Sequence, residues 1–99
     1  MKKLKFEDIK KGDWIFWDDC SADNPHCFIS IIKEIEIEKE NLIEEWWETN
    51  NILNKFDEIT EYRDNQIFGI SGFDGYEIIQ KMTEKQIEDF KNKLTLSKI

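Results

Sequence analysis

The clearest punctuation in this chain is the stretch from Asp18 to Pro25, where Asp, Ser and Asn gather beside the only proline. Such a cluster continues neither helix nor strand, so it reads as a loop, and it separates two runs of strand character. Before it, Gly12-Asp13 is a turn leading into Trp14-Ile15-Phe16-Trp17. That run is apolar on both faces, which fits a central strand or a strand that leaves an aromatic face for a partner. After it, residues 28–37 alternate: Ile29, Ile31, Ile35 and Ile37 share one face, interrupted by Lys33, while Glu34 and Glu36 point the other way. A second hairpin is expected over residues 66–80, with arms Ile67-Phe68-Gly69-Ile70 and Tyr76-Glu77-Ile78-Ile79 around Gly72-Phe73-Asp74-Gly75.

The end of the chain reads differently. Thr83 with Gln86 three residues on fits a capping box, and Ile87, Phe90 and Leu94 follow at helical spacing. A helix over about 83–96 is expected, with Lys91, Lys93 and Lys98 suited to the negative pole of its dipole. Residues 40–56 are ambiguous. As a strand, Leu42-Glu44-Trp46-Glu48 and Ile43-Glu45-Trp47-Thr49 give no clean face. On a helical wheel Leu42, Ile43, Trp46, Trp47, Leu53 and Phe56 fall on one half, so a helix over about 40–56 is favoured, with a hairpin strand as the alternative. These elements make residues 1–99 a single α+β domain built on a small antiparallel sheet. The segment Ile9-Lys10-Lys11-Gly12-Asp13-Trp14-Ile15 resembles the lead-in to the first strand of many SH3-like barrels, and that resemblance implies such a barrel as one candidate topology.

Charge narrows the functional classes. The first twelve residues hold five lysines and two acids, whereas residues 13–80 hold seventeen acids and four bases, a local −13 within a net −8. All four tryptophans lie in that acidic middle. A chain this acidic with a single arginine, Arg63, lacks the cations that displace counterions from nucleic acid. Anionic membrane surfaces are disfavoured for the same reason. The apolar runs are too short to span a bilayer and no apolar segment follows the opening lysines, so a cytoplasmic protein is expected.

No constellation identifies a reaction. Cys20, His26 and Cys27 fall short of the four ligands of structural zinc, and the compartment disfavours a disulfide between the two cysteines. Asp19-Cys20-Ser21-Ala22-Asp23 resembles half of a calcium loop, but Asn24 replaces the glycine and Ser30 stands where the closing glutamate belongs. Gly69-Ile70-Ser71-Gly72 lacks the last glycine of a nucleophile elbow, and no phosphate cradle follows it. The carboxylate pairs Asp18-Asp19, Glu44-Glu45 and Asp57-Glu58 are what chance places in so acidic a chain. A non-enzymatic protein without cofactor or metal is the expectation.

What remains is tryptophan set among acids. Trp46 and Trp47 with Glu44, Glu45 and Glu48, and the loop acids Asp18, Asp19 and Asp23, form the expected partner-binding set. Trp anchors binding hot spots, and the surrounding acids would pair with a basic protein. A nucleic-acid-handling enzyme is the most economical such partner, because its basic groove already exists to hold phosphate. In size and charge the chain resembles small acidic nuclease inhibitors, among them bacterial toxin-immunity proteins and phage anti-CRISPR proteins. The competing reading is a small SH3-like or α+β scaffold domain that binds a peptide or a second copy of itself, its tryptophans filling the core.

Overall fold

Gly12 sets the first turn with φ +90, a conformation that a side chain would strain. The turn is tied to the neighbouring strand by Gly12 N donating to Ile32 O at 2.8 Å and Ile32 N to Asp13 O at 3.0 Å. From there the computed structural model, described for residues 3–19, 27–50, 53–56 and 58–97, builds one antiparallel sheet and one helix. The strands are β1 (Trp14–Asp18), β2 (Cys27–Glu36), β3 (Asn41–Thr49), β4 (Ile59–Gly69) and β5 (Ile78–Lys81), and α1 spans Glu84–Ser97.

The spatial order is β4-β3-β2-β1-β5. β1 is therefore internal, as its two apolar faces imply. Two expectations are corrected here. Residues 41–49 form a strand, paired on both sides by β2 and β4, where the sequence favoured a helix over 40–56. The expected hairpin over 66–80 is also absent: β4 and β5 lie at opposite edges, joined by a 3-10 segment, Ile70–Gly75, that carries the chain across the sheet. Because those edges do not meet, the sheet is open and the SH3-like barrel is not what forms.

Both faces of this sheet are covered, which explains the mixed pattern of β3. On one face Ile15, Trp17, Ile32, Leu42 and Ile79 pack under Ile9 and Phe73, with Leu4, Phe6, Phe28, Phe68 and Tyr76 around them. On the other, Phe16, Cys27, Ile29, Trp47, Phe56 and Met82 pack around Phe90 of α1, with Ile87 and Leu94 alongside. Each β3 face must then supply apolar side chains, so no single face is polar. Irregularities set which residues reach which side. Lys33 is an extra residue on β2 between the pairs Ile32–Glu44 and Glu34–Ile43, so Ile35 joins the face of Ile32 rather than that of Ile29. Asn65, at φ 55, sits in a second bulge where Asp64 and Asn65 oppose Glu45.

The helix cap is the reciprocal pair expected from sequence: Gln86 N donates to Thr83 Oγ1 at 3.2 Å, and Thr83 N to Gln86 Oε1 at 2.8 Å. Among the described residues its last turn holds no basic residue, Lys98 lying outside them, and Lys91 lies instead over the Trp14 ring at 5.6 Å. At the β5 edge, Lys3 bridges Ile79 in parallel and Leu4 N donates to Ile79 O at 3.0 Å. Among the described residues no helix is long and apolar enough to cross a membrane.

Candidate binding site

Period-two geometry sends Trp46 and Trp47 to opposite faces of β3. Trp47 is 7% exposed and stacks on Trp14 at 5.7 Å and on Tyr62 at 5.3 Å, with Phe90 edge-on. It is a core residue. Trp46 is half-buried on the other face, edge-on to Phe28 at 4.7 Å, with the Arg63 guanidinium 5.8 Å from its ring centroid. Two adjacent tryptophans thus serve two separate clusters.

The acids divide in the same way. Glu45 shares the face of Trp47, where it pairs with Lys33 at 3.6 Å and accepts a hydrogen bond from the Tyr62 hydroxyl. That hydrogen bond, more than burial, pushes the Tyr62 phenol up to about 12. Glu44 and Glu48 share the face of Trp46. Asp18 is buried at the end of β1, whereas Asp19 is half-buried and borders a hollow with Phe28, Gly75 and Tyr76. Asp23, Cys20 and His26 lie outside the described residues; Cys27 is buried in the core. The eight residues expected to bind a partner therefore do not share one surface. Four of them, Glu44, Trp46, Glu48 and Asp19, do gather at one end of one face.

Tyr76 marks that gathering. Burial first, and then the charges of Glu44, Asp19 and Glu48, together push its phenol up to about 12. Beside it a recess of about 200 Å³ is lined by Trp17, Phe28, Glu44, Trp46, Gln66, Phe68 and Tyr76. Trp17, Phe68 and Tyr76 hold one another in ring contacts of 4.6 to 5.9 Å, so the walls are mutually braced. The backbone of the 3-10 segment presses on this wall: a Cβ at Gly72 would lie 2.7 Å from the Phe68 ring.

Glu44 is the unusual member. It occupies a core position on β3, 3% exposed, between Ile32 on β2 and Gln66 on β4. Ser30 accepts from Trp17 Nε1 at 2.9 Å and is hydrogen-bonded to the Glu44 carboxyl, yet Glu44 Oε2 is buried without a partner. Burial pushes the carboxyl up to about 8, with Ser30 opposing the shift. A buried, half-satisfied acid costs stability, which makes it a functional candidate. Sequence reasoning singled out Glu44 and Trp46 but missed Trp17, Phe28, Gln66, Phe68 and Tyr76 as their neighbours. Alternation puts Trp17 on one face with Ile15, and Phe68 on one face with Gln66, but only the sheet order brings them together.

A larger hollow of about 380 Å³ lies on the other face, between Glu45, Trp47, Ile59, Tyr62 and Leu94. Its two acids, Glu45 and Glu61, are already paired with Lys33 and Arg63, so it offers less to a ligand. No family model matches this chain, and no curated protein or solved structure matches it.

Proposed function

We propose that the protein is a non-enzymatic binding module that docks the Tyr76 end of its sheet onto a basic partner protein. The observation that supports this most is the convergence of Glu44, Glu48 and Asp19 around Tyr76, beside the half-buried Trp46. Acids around an aromatic anchor steer and orient a cationic surface. The partner that best fits is a nucleic-acid-handling protein, whose phosphate-binding groove would receive these carboxylates, and the protein would then act as its inhibitor.

The docking charges to test are Asp19 and Glu48, because reversing the buried Glu44 would disturb the core. The double substitution Asp19→Lys with Glu48→Lys is expected to leave the melting curve close to wild type. It should weaken binding to the partner at least about tenfold, by placing like charges opposite each other. The measurement is an affinity titration against the partner captured from host extract, at low and moderate salt, with nucleic acid as competitor. Salt-independent binding, or equal binding by the double variant, would overturn the reading.

A second reading, a scaffold domain that binds its own copy, is favoured by one observation. Among the described residues β4 has no neighbour on its outer side, an edge of eleven residues on which Ile67 is 66% and Tyr62 49% exposed. Such an edge is a template for strand addition. On this reading sedimentation shows a dimer that Ile67→Lys dissociates; a wild-type monomer at high concentration removes it.

A further inference from the structure

The recess beside Tyr76 has three properties that together specify an occupant. Its walls are aromatic: Trp17, Phe28, Trp46, Phe68 and Tyr76 present π-faces and edges to a space of about 200 Å³. That is room for a group of roughly six water volumes at about 30 Å³ each. Its one acid, Glu44, has a buried oxygen without a hydrogen-bond partner. One wall already attracts a cation, since Arg63 lies over the Trp46 ring.

An anion would meet Glu44 and the negative faces of the rings, and a neutral apolar group would leave the Glu44 oxygen unsatisfied. A compact cation with an apolar stem satisfies both. The rings attract the charge, the stem lies against their carbon, and the carboxylate completes the pair. We propose that this recess takes the alkylammonium end of a lysine side chain from the docked basic partner, with the Glu44 carboxylate as its counter-ion. The inference rests on the docking reading above and names the group that enters. A cation beside Glu44 favours the ionised carboxyl, offsetting the burial that otherwise opposes it.

The division of tryptophans between the two faces supplies the test. Indole N–H resonances of the isotope-labelled protein are followed while N-acetyl-lysine N-methylamide, its ε-trimethyl derivative and the neutral norleucine analogue are titrated in turn. The Trp17 and Trp46 signals are expected to shift with either ammonium probe, while Trp14 and Trp47 stay in place. The better ammonium probe should bind at least about tenfold more tightly than norleucine, and Glu44→Gln should erase that preference while keeping the dispersed spectrum of a folded chain. Equal binding of norleucine would show a merely apolar recess and overturn the proposal. Absence of any shift at Trp17 and Trp46 would overturn it as well, and neither result depends on the variant folding. If the probes fail while charge reversal at Asp19 and Glu48 still weakens partner binding, this inference falls and the docking reading stands. If the probes bind while the reversal has no effect, the docking reading falls instead.

Discussion

Glu44→Gln is expected to make the protein more stable at alkaline pH, and to flatten a slope that the wild type shows on the way there. The native carboxyl titrates near 8, against a value of 4.5 when unperturbed. Below 4.5 both states hold the proton and the group contributes nothing to the pH dependence. Between 4.5 and 8 the unfolded chain has released it while the native chain has not, so stability falls as pH rises. The fall is about 1.4 kcal/mol per pH unit, on the order of 4–5 kcal/mol across the whole window. Above 8 both states are ionised and the loss is complete. Gln cannot titrate, so the difference between the two unfolding free energies isolates this one group. Denaturant unfolding of both proteins at pH 5, 6, 7, 8 and 9, chosen at about unit spacing to bracket the window, should show curves that diverge up to about 8 and then run parallel. Curves parallel throughout would mean that Glu44 is solvated and that the recess is not what burial makes it.

The second large effect concerns the opposite face. Phe90 is fully buried and meets Trp14, Trp47 and Phe56 at ring separations of 5.3 to 6.1 Å, so it pins α1 to the sheet. Phe90→Ala removes that ring from a site that cannot collapse around the three aromatic groups left behind. The expected cost is about 3–5 kcal/mol, a large fraction of the roughly 5–15 kcal/mol that holds a small domain together. At about 4–8 °C per kcal/mol, the melting temperature should fall by on the order of 20 °C. Leu96, 63% exposed on the same helix, is the control, since its truncation removes little buried surface. Thermal melts of the two variants should differ sharply. Equal shifts would mean that α1 is not packed through Phe90.

How much of this was legible in the sequence depended on how local the determining contacts are. The cap at Thr83 and Gln86 is made within four residues, and the Ile87, Phe90, Leu94 stripe needs only one helix face, so both could be read directly. β1 and β2 were legible because the sequence between them, rich in Asp, Ser and Asn and holding the only proline, is strongly punctuated. β3 was not. A strand covered on both sides loses the polar face that marks most antiparallel strands, and Leu42, Trp46 and Trp47 then mimic a helical stripe. The hairpin over 66–80 does not form because Ile70–Gly75 carries the chain across the sheet, so that nearness in sequence is not pairing.

The candidate site was half legible. Glu44 and Trp46 stood out by composition, as did Glu48 and Asp19. Phe68 comes from the neighbouring strand β4 and Tyr76 from the segment that leads into β5 at the opposite edge, and no local pattern encodes their meeting beside Glu44. Separating Trp46 from Trp47, and Glu44 from Glu45, needed only the assignment of strand in place of helix.

The two edges of the sheet are unequal, and this bears on how many copies could ever assemble through them. Lys3 and Leu4 lie along β5 at Ile79, while β4 carries no neighbour beyond β3 among the described residues. A subunit with two receptive edges can add copies without limit and grow a filament. A subunit with one can only meet the same edge of another copy across a two-fold axis, and each is then consumed by the other. Strand addition in this protein would therefore stop at a pair, a ten-stranded sheet with a blocked strand at either end.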